Sequence, residues 1–141
     1  QAMRAIWTEA NPKFNGDYVN FGPMRTWPKP VQKPHPPIIV GGGVPHGAKR
    51  AIAYGDGWMP IGGRMDVAEL VPRFRQMAAE AGREPDQLPI TSFGLQPEED
   101  QIKKTVDAGI DRIIFALPPE LPKVVIPILD DLANIATKYR N

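Results

Sequence analysis

Cysteine is missing from all 141 residues of the chain. Disulfides, thiolate metal sites and a cysteine nucleophile are thereby excluded, while the compartment stays open, with cytoplasmic as the default. Histidine is scarce too. His35 and His46 are the two present, too few for a multi-histidine centre, and no metal is expected. No apolar run reaches the roughly 18 residues that would suggest a membrane span. The opening QAMRAIWTEA lacks the basic start and long apolar core of a secretory signal. Charge of one sign is also lacking: Lys plus Arg is 17 and Asp plus Glu is 16, a net charge of +1. Without a basic block, a nucleic-acid partner is not expected.

Hydrophobic residues make up 42% and charged residues 23%, so the chain can bury a core as one domain spanning 1–141. Residues 1–37 form a distinct excursion within it. The segment Ala2 to Glu9 reads as the end of a helix whose beginning lies upstream, so the chain is expected to be a fragment of something longer. Asn15-Gly16 beside Asp17 is a turn signal. Tyr18, Val19 and Phe21 favour strand, so a short hairpin is expected. Five prolines between Pro28 and Pro37 dictate a stiff extended connector, because proline fixes φ and removes donors.

A regular alternation follows. Strands are expected at Ile38–Val40, Gly57–Ile61, Pro89–Phe93 and Asp111–Leu117. Helices are expected at Pro45–Tyr54, from an Asp66 N-cap to Ala81, at Pro97–Ala108 and at Pro122–Tyr139. Apolar strands alternating with amphipathic helices imply a parallel sheet covered by helices. Pro72 interrupts the apolar stripe of the second helix, so it either kinks that helix or marks the start of its regular part. Four βα units fit a small doubly wound sheet or half of a (β/α)8 barrel, which typically needs about 250 residues.

Gly41, Gly42 and Gly43 separate the first of these strands from its helix. Glycine admits φ > 0 and close approach to backbone N–H groups, and the following helix offers free N–H groups and the positive end of its dipole. Strand, glycine loop and helix together can bind a phosphate. GGGVPHG is neither GxGxxG nor a Walker A loop, so a tight βα turn remains the competing reading.

Six segments occur together in this chain: MRAIWTE (3–9), FNGDYVNFGPM (14–24), WPKPVQKPHPPIIVGGG (27–43), AYGDGWMP (53–60), DAGIDRIIFALP (107–118) and LDDLA (129–133). In this order and spacing the chain resembles the C-terminal half of a luciferase-like oxidoreductase, above all the branch that uses the deazaflavin coenzyme F420. The resemblance implies the fold: the α/β C-terminal half of a (β/α)8 TIM barrel, with four βα units after a helix and hairpin excursion. It implies that coenzyme binds at the C-terminal mouth, with the glycine pair after strand five holding its phosphate. That role falls on Gly42 and Gly43, preceded by Gly41 and with Val44 and Pro45 lining the turn. The loop here is one residue longer than the family's GG-x-P form, so which glycine makes the contact stays open. Substrate contacts after strand six would fall on Ile61, Gly62 and Arg64. A solvated surface arginine is the plainer reading of Arg64.

Other polar residues receive structural readings. Asp56 is a turn former, Trp58 packs, and His35 is structural. Glu98, Glu99 and Asp100 suit a helix N-terminus. His46, beside the glycine loop, is a candidate anion donor. The expected function is hydride transfer between F420 and a small organic substrate. The family's acid–base groups lie in the N-terminal half, so no catalytic residue is assigned and the fragment alone is expected to be inactive. FMN-dependent monooxygenation is the alternative. A non-catalytic flavin-binding half-barrel is another, its open strand edges covered by a second copy in a homodimer or by the missing N-terminal half-barrel.

Overall fold

Residues 1–60 and 66–139 are described by the structure, a computed structural model. The chain divides into two compact units, Gln1–Pro37 and Ile38–Asn141. The division falls where the proline-rich stretch ends.

In the first unit, helix α1 spans Ala2–Thr8. Strands β1 (Phe14–Asn15) and β2 (Asn20–Phe21) pair antiparallel, and their phenylalanine rings lie 6.2 Å apart. Tyr18 and Val19, expected in the strand, sit at the turn instead. The Gly16 N–H donates to the Val19 carbonyl at 3.0 Å and closes the loop around them. Residues 28–37 form neither helix nor strand, as their prolines require. Lys29 ties this stretch to α1, its Nζ donating to the Ile6 carbonyl at 2.6 Å and to Thr26 Oγ1 at 2.7 Å.

The second unit alternates strand and helix. In chain order it runs β3 (Ile39–Gly41), α2 (His46–Tyr54), β4 (Gly57–Met59), α3 (Val67–Glu80), a 3-10 turn (Pro85–Gln87), β5 (Thr91–Phe93), α4 (Glu99–Asp107), β6 (Arg112–Ile114) and α5 (Pro122–Lys138). Strands β3 and β4 pair in parallel, as do β5 and β6. A parallel bridge between Trp58 and Ile90 joins the two pairs. Each described strand of the array therefore neighbours the next in sequence, with no reversal of order. A doubly wound sheet would contain such a reversal.

Side chains alternate across the sheet. Val40, Trp58 and Ile90 share the helix-facing side, where they form the core with Ala48, Ala51 and Ile52 of α2 and Val67, Val71, Phe74 and Ala78 of α3. Ile39, Met59, Phe93 and Ile114 occupy the other side and are at least partly exposed. Helix α3 starts at its expected cap, where Asp66 Oδ1 accepts from the Ala68 N–H at 3.1 Å. The hydrogen bond from Lys104, helped by its charge, holds the Asp66 carboxyl below the usual carboxylate range. The helix runs through Pro72, which is exposed, so Pro72 does not mark its start. Gly82 ends it at φ +73, with the Arg83 N–H returning to the Ala78 carbonyl at 2.9 Å. On α5, Leu132 is buried and Val125, Ile128 and Ile135 are half-buried. Val124 and Leu129 are exposed, because at 100° per residue they flank that face.

The two strand pairs share one backbone device. The Ile38 N–H donates to Asp56 Oδ2 at 2.8 Å, and the Ile90 N–H donates to Asp111 Oδ2 at 2.7 Å. At the opposite ends, the Gly42 N–H donates to the Met59 carbonyl at 3.3 Å and the Gly94 N–H to the Ile114 carbonyl at 2.9 Å. An aspartate thus closes each ladder where it begins and a glycine closes it where it ends. Both glycines have positive φ, +114 at Gly42 and +78 at Gly94, which turns the chain out of the strand at little steric cost. Asp56→Ala should strip the half-buried Ile38 N–H of its acceptor and destabilise the protein by about 1–3 kcal/mol in chemical denaturation. Asp56→Asn, which keeps an acceptor oxygen, should cost less.

Candidate functional site

The loop from Gly41 to Gly47 joins the C-terminal end of β3 to the N-terminal end of α2, and its conformation is fixed from several sides. Its first glycine, Gly41, still belongs to the strand, and a Cβ there would meet only the Met59 carbonyl, at 3.8 Å. The second needs to be glycine: Gly42 has φ +114, and a Cβ would lie 3.2 Å from the Arg50 guanidinium. The Gly42 carbonyl accepts from Trp58 Nε1 at 2.7 Å. The Gly43 carbonyl accepts from the Gly47 N–H at 2.7 Å, and the Pro45 carbonyl from the Lys49 N–H at 2.9 Å. These bonds start α2.

Gly47 allows this closeness. A Cβ there would fall 2.3 Å from both the carbonyl carbon and the oxygen of Gly42. Val44 packs against the core and fastens the outer part of the loop. Arg50 donates to the Gly41 carbonyl at 3.3 Å.

What remains is a backbone surface with donors to spare. The Gly42 N–H is spent on the ladder. The N–H groups of Gly43 and Val44 make no hydrogen bond among the described residues, and Pro45 has none to offer. They lie at the N-terminus of α2, whose first turn holds no acidic residue. His46, Lys49 and Arg50 are all exposed on its first two turns. Cations are disfavoured at a helix N-terminus, and here they share it with uncommitted N–H groups. The arrangement suits an anion such as a phosphate group.

The loop after β5 has the same entry but a different outcome. Glu99 and Asp100 fill the first turn of α4, so negative charge already occupies its dipole end. Glu99 also pairs with Lys138 at 3.2 Å. Phe93, at the end of β5, is 42% exposed.

Gly41 ends β3, and Gly42, Gly43, Val44 and Pro45 carry the chain from it into α2. Ile61, Gly62 and Arg64 lie outside the described residues. Asp56 acts at the other end of the strands, as part of the ladder closure. His35 lies beside Trp7 in the first unit, their ring centroids 5.9 Å apart. Among the described residues, no group of three or more His, Asp or Glu side chains is placed to hold a metal ion. Sequence reasoning missed Gly47, Arg50 and the indole of Trp58. The sequence signal for the first is the Gly42-x4-Gly47 spacing, which brings two backbones together across one helical turn.

Gly47→Ala should force the loop apart and cost about 1–3 kcal/mol of stability, the usual range for overpacking. Gly41→Ala should be close to neutral. Thermal denaturation of the two variants distinguishes this from a loop in which all glycines are equivalent.

Comparison with known proteins adds the family. The model of the luciferase-like monooxygenase family matches residues 1–101. An uncharacterised protein of Mycobacterium tuberculosis is 36% identical over 120 residues, covering 84% of this chain and 42% of that protein. The chain therefore spans less than half the length of this relative. An F420-dependent hydroxymycolic acid dehydrogenase of the same organism is 31% identical over 86 residues, 61% of this chain and 23% of the enzyme. An FMNH2-dependent dimethylsulfone monooxygenase of Pseudomonas putida is 45% identical over 42 residues, 30% of this chain and 12% of the enzyme. Among solved structures, an F420-dependent secondary alcohol dehydrogenase aligns with a TM-score of 0.59 at 19% identity, covering 80% of this chain and 52% of that one; this likeness concerns the fold. A match over residues 1–101, well beyond half of the sequence, means that the chain belongs to the luciferase-like monooxygenase family.

Proposed function

We propose that this chain is the coenzyme-phosphate-binding part of an F420-dependent oxidoreductase. It would form strands five to eight of a (β/α)8 barrel and work together with an N-terminal half. The observation that carries the reading is the fixed glycine loop, with the uncommitted N–H groups of Gly43 and Val44 beside an exposed basic turn. The consecutive, all-parallel order β3-β4-β5-β6 supports the barrel segment over a doubly wound sheet.

The coenzyme, when bound, supplies the hydride acceptor or donor, and the substrate would be a small organic molecule. The chain's own part is to bind and orient. Gly42 shapes the turn, Gly43 and Val44 donate to the phosphate, and Val44 and Pro45 wall it. His46 and Arg50 add positive potential around it. Ile61, Gly62 and Arg64, which follow β4 in the sequence, would line the substrate side.

A second reading, an FMN-dependent monooxygenase, has a specific support in the 42-residue segment shared at 45% identity with an FMNH2-dependent enzyme. A phosphate at the glycine loop serves either coenzyme. Titration of the whole-length protein that carries this sequence, following coenzyme fluorescence, separates the two. Saturable binding of F420 in preference to FMN is the expected result. Preference for FMN would move the protein to the second reading, and binding of neither would overturn both.

A further inference from the structure

The two strand pairs close with the same glycine device, yet among the described residues only the first has its glycine carbonyl held by a side-chain donor. In the register of β3 and β4, Trp58 stands opposite Val40. In the register of β5 and β6, the corresponding place opposite Ser92 belongs to Ile113, which has no hydrogen to donate. Trp58 has no solvent exposure. Its ring stacks on Phe74, with centroids 4.5 Å apart and planes 20° apart, and its Nε1 reaches the Gly42 carbonyl at 2.7 Å. A buried indole held by a neighbouring ring has little freedom to release that bond, and leaving the N–H unpaired there would be costly.

The consequence lies on the other side of the peptide bond. The Gly42–Gly43 peptide is trans, and in a trans peptide the carbonyl and the following N–H point in opposite directions. With the Gly42 oxygen drawn toward the core by Trp58, the Gly43 N–H is turned away from the core. A peptide flanked by two glycines can also adopt a flipped arrangement, so the direction of that N–H needs to be set by something. We infer that Trp58 is a positioning residue for the coenzyme phosphate: its indole N–H fixes the Gly42–Gly43 peptide so that the Gly43 N–H is presented to the anion. This rests on the phosphate-binding reading above and assigns that loop's preorganisation to a residue outside it. The glycine loop after β5, with Ile113 in place of the indole and acidic residues on its helix, is not so prepared.

The test separates phosphate recognition from folding. Trp58→Phe keeps an aromatic ring against Phe74 and removes the donor. A second variant carries β-(3-benzothienyl)alanine at position 58, which matches the indole in shape and lacks the N–H. Each would be titrated, in the whole-length protein, with the preferred coenzyme and with its phosphate-free form (FMN against riboflavin, or F420 against its dephosphorylated chromophore). The expected result is a roughly tenfold loss of affinity for the phosphorylated form, about the worth of one well-made hydrogen bond, with little change for the phosphate-free form. An equal loss for both forms, or no loss for either, would overturn the inference while leaving the binding site itself standing. Failure of the unaltered protein to bind any phosphorylated coenzyme would instead remove the reading on which it rests, and the inference with it. If both variants fail to fold, amide NMR of the unaltered protein decides with inorganic phosphate as probe. The Gly43 resonance should shift and that of Gly42, tied into the ladder, should not. A shift at Gly42 alone, or at neither, would contradict the inference.

Discussion

The hydrogen bonds of Trp58 hold the parallel array together in two directions. Its backbone N–H donates to the Pro89 carbonyl at 2.9 Å, beside the bridge to Ile90 that joins the two strand pairs. Its indole N–H donates to the Gly42 carbonyl and so reaches the turn that ends β3. Its ring fills the space between the sheet and α3, against Phe74. A residue so placed couples the core to the glycine loop. The loop cannot relax without disturbing a side chain that the helices bury.

Around that node the second unit repeats one construction. An aspartate receives the first N–H of the preceding strand, and a glycine of positive φ returns the last N–H to the following one. Ile38 with Asp56 and Ile90 with Asp111 are the two starts. Gly42 with Met59 and Gly94 with Ile114 are the two ends. The pairs then diverge where chemistry would need them to. One loop leads into a helix that begins with His46, Lys49 and Arg50, the other into one that begins with Glu99 and Asp100. The backbone repeat supplies the scaffold, and the side chains after each glycine decide whether an anion is welcome.

Much of this was legible in the sequence. The turn signal at Asn15-Gly16, the Asp66 cap and the alternation of strand and helix follow from local rules that the structure obeys. The glycine loop stood out because three glycines in a row have few structural uses. The rest was hidden because it depends on contacts distant in sequence. Asp56 read as a turn residue, since its acceptor role appears only when Ile38, 18 residues earlier, lies alongside. Trp58 read as packing, which it does, but its indole N–H has a partner 16 residues away that only the register of β3 and β4 brings near. Tyr18 and Val19 have strong strand propensity, yet a turn closed by Gly16 and Val19 overrode it.

The proposed function stands or falls with whether the turn after β3 receives a phosphate. A crystal structure of the protein carrying this sequence, grown with F420 or with FMN, tests this most directly. The phosphate is predicted to lie within hydrogen-bond distance of the Gly43 and Val44 N–H groups, with the Gly42 carbonyl still held by Trp58. A phosphate bound elsewhere in the protein, with this turn empty, would contradict that reading.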